Sequence, residues 1–123
     1  MKDRPKACPD PDACNAAMTA AAACRSLSGV LGAFVEILDT PRSGASGPLD
    51  GMPIAIKDMI DIAGRAPTLG LARAPRRVPT QNARVFDRLS GVGATTVAFT
   101  QMTPLAYEPS GANMQSGRPK NPW

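Results

Sequence analysis

Read from its N-terminus, the chain alternates short apolar runs with stretches of Pro, Gly, Ser and Asp. Residues 1–9 are polar and contain Pro5 and Pro9, the pattern of a disordered terminus. Asp10 and Pro11 then make a helix start, with Asp as N-cap and Pro at the first helical position. The Ala-rich stretch that follows predicts a helix to about Leu27, ended by Ser28-Gly29. The run Ala33-Phe34-Val35-Glu36-Ile37-Leu38 is too short for periodicity to separate strand from helix. Residues 40–51 are dominated by turn formers and read as a loop. Pro53 to Lys57 reads as a strand, because Ile54 and Ile56 are β-branched and turn signals bound the run. Ile60 and Ile62 predict that an extended stretch continues to Gly64, and residues 65–80, with Pro67, Pro75 and Pro79, read as a loop.

The clearest helical pattern runs from Gln81 to about Ser90. Val85, Phe86, Leu89 and Val92 fall on one helical face, Thr80 is placed to cap its start, and Gly91 or Gly93 its end. Thr95 to Thr100 reads as a strand. The order strand, helix, strand predicts a βαβ unit with a parallel pair, and so an α/β fold. Met102 to Tyr107 is expected to form one more helical turn, and the chain from Glu108 onward reads as a loop.

Composition narrows the chemistry. The chain has 123 residues, enough for one core, but aromatics make up only 4 %, so that core must rest on Leu, Ile, Val, Met and Ala. The net charge of +4 is spread along the chain from Arg25 through Arg42, Arg65, Arg73, Arg84 and Arg88 to Arg118, with Arg76-Arg77 the tightest pair. Tyr107 and Trp123 are the only large polar aromatics. A footprint this diffuse predicts no nucleic-acid partner. Cys8, Cys14 and Cys24 are odd in number and lack the paired short gaps of a zinc site, which argues against a disulfide framework and a structural metal. The chain has no His, which removes a His-containing metal site and a Ser-His-Asp triad. No metal or cofactor is expected. No segment approaches the ~20 apolar residues of a membrane span. With reduced thiols as the default, the chain reads as soluble and cytoplasmic, without a membrane partner.

Lys57 is the leading candidate for chemistry. It ends the apolar strand Ile54-Ala55-Ile56, and a Lys at the end of a buried strand loses hydration, which lowers its pKa and lets the neutral amine act as a base. The alternative is that Lys57 turns to solvent and pairs with Asp58 or Asp61. The surrounding run, Gly47-Pro48-Leu49-Asp50-Gly51-Met52-Pro53-Ile54-Ala55-Ile56-Lys57-Asp58, closely resembles the Gly-Pro-Leu-x-Gly-x-Pro-x-x-x-Lys-Asp block of the amidase signature family. Asp61-Ile62-Ala63-Gly64, Thr68-Leu69-Gly70-Leu71, Val85 to Phe99, Thr100-Gln101-Met102 with Ala106-Tyr107 and Ser110-Gly111-Ala112-Asn113, and Asn121-Pro122-Trp123 resemble further blocks in the family's order. The resemblance runs from about residue 33 to the end.

It implies an amidase that uses a Ser-cis-Ser-Lys triad, in which the lysine works through a cis-serine on a nucleophilic serine and a Gly-rich loop holds the oxyanion. Lys57 falls on that lysine. Asp58 and Asp61 would orient it or cap a turn, and Tyr107 would line the substrate pocket or sit in the core. The two serines belong to a Gly-Gly-Ser-Ser-Gly-Gly type segment expected after Trp123, and no serine of this chain has that context. The implied fold is therefore a partial one over residues 10–123: an N-terminal helix, a few strands of a mixed sheet and an amphipathic helix, with the C-terminal part missing and apolar faces and strand edges left open. The chain departs from the family at Gln101, where Asn is frequent, and at Pro104, where Glu is frequent. The region between Leu38 and Gly47 is also short.

The expected function is hydrolysis of a small-molecule carboxylic amide by the complete enzyme, with this chain inactive alone and a homo-oligomer left open. Two alternatives stand beside it. One is a fragment of the A-subunit of a tRNA-dependent amidotransferase. The other is a non-catalytic remnant that binds a partner through its sheet edge.

Overall fold

The structure is a computed structural model, and it describes residues 11–73 and 77–123. The predicted disorder of residues 1–9, the Asp10 cap, Cys8, and Pro75 and Arg76 of the long loop lie outside the described residues. The elements are α1 (Pro11–Leu31), β1 (Phe34–Arg42), β2 (Pro53–Lys57), α2 (Arg84–Gly91), β3 (Thr95–Thr100) and a 3₁₀ turn (Pro104–Ala106). The three strands form one mixed sheet in the order β1-β3-β2. β2 lies parallel to β3, as the strand-helix-strand order requires, and β1 runs antiparallel on its other side. This is the α/β fold the pattern predicted.

α1 continues one turn past the expected stop. Ser28 and Gly29 stay helical, and the chain leaves the helix at Gly32, whose φ of +58° ends it with its N–H donating to the Ser28 carbonyl at 2.9 Å. A glycine inside a helix costs only about 1 kcal/mol, so Gly29 does not by itself stop the helix. Ala13, Ala17 and Ala21 recur every four residues on the buried face. Ala17 and Ala21 meet Val97 and Ala98 of β3, with Phe34 and Ile37 of β1 closing the cluster. Small side chains let the helix lie close to the sheet.

The opposite face carries a second cluster of Ile56, Ile62 and Phe99, against which Phe86 and Leu89 of α2 pack. Of the four apolar positions expected on the inner face of α2, these two face the core, while Val85 and Val92 are exposed. α2 also starts later than its pattern suggested. Ala83, not Thr80, is the N-cap, without a side-chain cap bond. The residues before it are engaged elsewhere: Ala83 N–H donates to the Asp61 carbonyl at 2.8 Å, and the Asn82 side chain accepts from Ala63 N–H at 2.8 Å. At the helix end, Gly93 (φ +101°) makes the turn into β3, and a Cβ there would come within 2.8 Å of Asp50 Cα.

Two loop readings change. β1 extends through Pro41 to Arg42, which pairs with Thr96. β1 is an edge strand, where a missing N–H is tolerated. The extended stretch expected over Ile60–Gly64 is instead a turn: Ile60 N–H donates to the Lys57 carbonyl, and Ile62 bridges Arg65 around Gly64 (φ +79°). The apolar alternation there was a true burial signal, because Ile62 tucks under the sheet at 3 % exposure. Val30, Val35, Met52 and Met114 remain exposed, and among the described residues no strand pairs with the outer edge of β1 or of β2.

Candidate active site

The site is built at the end of the parallel pair. Lys57, the last residue of β2, pairs with Thr100, the last residue of β3. Because side chains alternate along a strand, burial of Ile56 against Phe99 places the Lys57 side chain on the opposite face. Lys57 is exposed, so the loss of hydration expected at the end of a buried strand does not occur, and among the described residues it makes no ion pair with Asp58 or Asp61.

Asp58 is fully buried and turned away from solvent. Its Oδ1 accepts from Arg65 Nη1 at 2.6 Å, and its Oδ2 accepts from the Thr68 N–H at 3.0 Å and from the Thr68 hydroxyl. Its backbone is pinned as well, the N–H donating to the Thr100 carbonyl at 3.2 Å and the carbonyl accepting from Leu69 N–H at 3.3 Å. A buried carboxylate is tolerable only when so compensated. The role Asp58 takes is thus to fold residues 58–70 back onto the sheet. Arg65 itself is held by Glu36 Oε2 at 3.0 Å and lies over the Phe99 ring, 3.5 Å from its centroid.

Asp61 lies farther out, paired with Arg77 through contacts of 2.6 and 2.7 Å. This hydrogen-bonded pairing raises the pKa of the exposed Arg77 guanidinium. Tyr107 is 89 % exposed and lines neither the core nor the cleft described next.

Beside the strand ends is an open cleft of about 300 Å³, with walls that include Phe34, Thr68, Leu71, Gln101, Met102 and Asn113. Gln101 and Met102 directly follow Thr100, the partner of Lys57, and Thr68 hangs from Asp58, so the cleft lies at the strand ends, although Lys57 itself is not among its lining residues. Asn113 closes the cleft from behind. Its Nδ2 donates to the carbonyls of Gly70 (2.8 Å) and Met102 (2.9 Å), and its Oδ1 accepts from Gln115 N–H (2.9 Å). Gln101 Nε2 adds a bond to the Gly117 carbonyl at 2.7 Å. Arg65, Thr68 and Asn113 carried no catalytic signal in the sequence. Only the Thr-x-Gly turn and the Ser-Gly-Ala-Asn stretch marked the last two. Among the described residues no cluster of three His, Cys, Asp or Glu is placed to hold a metal ion.

The family model for amidases matches residues 16–123. The chain belongs to the amidase family. It is 46 % identical over 66 residues to a mandelamide hydrolase of Pseudomonas putida, covering 54 % of this chain and 13 % of that protein. It is 37 % identical over 82 residues to the A-subunit of the glutamyl-tRNA(Gln) amidotransferase of Methanosarcina mazei, covering 67 % of this chain and 17 % of that protein. Among solved structures, it superposes with a TM-score of 0.77 and 22 % identity on a chain from a vestigial protein complex tied to the origins of an s-triazine catabolic enzyme. That match covers 89 % of this chain and 27 % of the other. The amidase chain thus spans a minor part of the length of its relatives. No helix among its described residues is long and apolar enough to cross a membrane.

Proposed function

We propose that the protein carrying this segment hydrolyses a carboxylic amide, with Lys57 as the proton-accepting member of a Ser-cis-Ser-Lys triad. The observation that carries the reading is the position of Lys57: it stands at the carboxyl end of a parallel strand, paired with Thr100, whose next two residues Gln101 and Met102 line the cleft, and within a block that resembles the family's lysine block. The open ends of parallel strands are where α/β sheets bind ligands. In this reading the nucleophilic serine attacks the amide carbonyl, and its proton passes through the cis-serine to the Lys57 amine. That proton then returns to the departing nitrogen, releasing ammonia or an amine, and water later frees the acyl group. The 123-residue chain supplies the lysine and the strand platform, and is inactive alone. The substrate is a small, free amide, and the compartment is the cytoplasm.

The test is Lys57→Met in the intact protein, with ammonia release followed over a panel of primary carboxamides. Loss of a general base lowers kcat by about 10²–10⁴-fold. Hydrolysis at the unsubstituted rate by a folded Lys57→Met protein would sink the reading.

A second reading is favoured by the 37 % identity to the A-subunit of an amidotransferase. In it the ammonia passes to a tRNA-bound acid, and partner subunits are required. Amide hydrolysis that proceeds only with added partner proteins and charged tRNA would support it over the stand-alone enzyme.

A further inference from the structure

Arg65 touches two strands of the sheet and the residue that follows the third, on the face opposite Lys57. Its Nε is 3.0 Å from Glu36 Oε2 in β1, its guanidinium carbon lies 3.5 Å from the centroid of Phe99 in β3, and its Nη1 is 2.6 Å from Asp58 Oδ1, immediately after β2. The register makes this a single row: Glu36 and Ile56 are both Cα partners of Phe99. The next row is Phe34, Thr100 and Lys57. The Arg65 side chain is only 11 % exposed and Asp58 is not exposed at all, so the Arg65–Asp58 arm is desolvated, while the Glu36 arm, with Glu36 50 % exposed, lies at the surface. A planar guanidinium can fork between two carboxylates while stacking on a ring, which an ammonium cannot do.

We propose that Arg65 is a positioning residue for Lys57: it clamps the strand row beneath the lysine and the Asp58 turn after it, and so fixes where the amine sits. The proposal rests on the reading of Lys57 as the proton acceptor. Lys57 has no ion pair of its own among the described residues, so its placement depends on the backbone that carries it. That backbone is held by strand pairing on one side and by Asp58 on the other, and Asp58 in turn is held by Arg65 and Thr68.

The experiment uses the intact protein and a fluorophosphonate that reacts with an activated serine. The serine oxygen bonds to phosphorus, fluoride leaves, and the serine proton goes to Lys57 through the cis-serine. The saturating rate of labelling and the half-saturating concentration are measured well below the melting temperature for Arg65→Met, Arg65→Lys and Lys57→Met. For Arg65→Met the saturating rate is expected to fall about 10- to 100-fold with the half-saturating concentration unchanged, as small misplacements of a catalytic group do. Arg65→Lys keeps one cation and recovers part of the rate, leaving a loss of about 3- to 10-fold. A wild-type rate in folded Arg65→Met, or in folded Arg65→Lys where the Met variant does not fold, overturns the proposal even if only the melting temperature drops. If Lys57→Met itself labels at the wild-type rate, it is the reading of Lys57 that fails.

Discussion

Asn113 is the residue whose removal has the most clearly defined cost. Its side chain is buried at 5 % exposure and satisfies groups in two remote segments, the Gly70 and Met102 carbonyls. In Asn113→Ala both carbonyls lose their donor and the Gln115 N–H its acceptor. Each buried hydrogen bond contributes about 1 kcal/mol net, and each group left unsatisfied costs about 1–3 kcal/mol. Some of these groups reach water in the open cleft, so a total of roughly 2–4 kcal/mol is expected for local opening of residues 68–72 and 101–117. Hydrogen exchange of the intact protein reads this directly, since local opening sets the exchange rate. Amides of those segments should exchange about 30- to 700-fold faster, at tenfold per 1.4 kcal/mol. Asn113→Asp sharpens the test. A carboxylate facing two carbonyls is disfavoured in the folded state, so its folded pKa lies above its unfolded value. The extra destabilisation is complete above the folded pKa and disappears as pH falls below the unfolded one. Unchanged exchange in Asn113→Ala, or a pH-independent effect in Asn113→Asp, would refute the clamp.

Two further outcomes follow from the same geometry. Gly51 has φ +73°, and a Cβ there would lie 2.4 Å from Ala13 Cβ, whereas Gly64, with φ +79°, has nothing within 4 Å. Gly51→Ala should therefore lose about 2–5 kcal/mol from strain and overpacking together, and Gly64→Ala only about 1–2 kcal/mol from strain; equal shifts in thermal midpoint would contradict this. Glu108 is held below the usual carboxylate range by hydrogen bonds from the Ser110 hydroxyl and N–H. Any stability it lends is present above its unfolded pKa and is lost as pH falls through the folded one, and in Ser110→Ala its NMR titration should move back upward.

Much of the fold was legible along the chain because burial of one face leaves a periodic trace. The Ala-rich stretch after Pro11 marked α1, β-branched Ile54 and Ile56 between turn signals marked β2, Phe86 and Leu89 fell on the helical face that α2 buries, and the order β2, α2, β3 dictated a parallel pair. The lysine block marked Lys57 before any coordinate did. What the chain could not display was the partnership of residues remote in sequence. Phe34 to Leu38 fitted strand or helix equally, and only the open edge of β3 made it an antiparallel strand. Asp58 looked like a companion for Lys57, but one step along a strand end puts the two side chains on opposite faces, and Asp58 is taken by Arg65 and Thr68. Asn113 binds a carbonyl 43 residues away. Periodicity records which side of an element is dry. It carries no information about which distant polar group will be met there, and those meetings, decided only when the sheet assembles, shape the edge on which Lys57 stands.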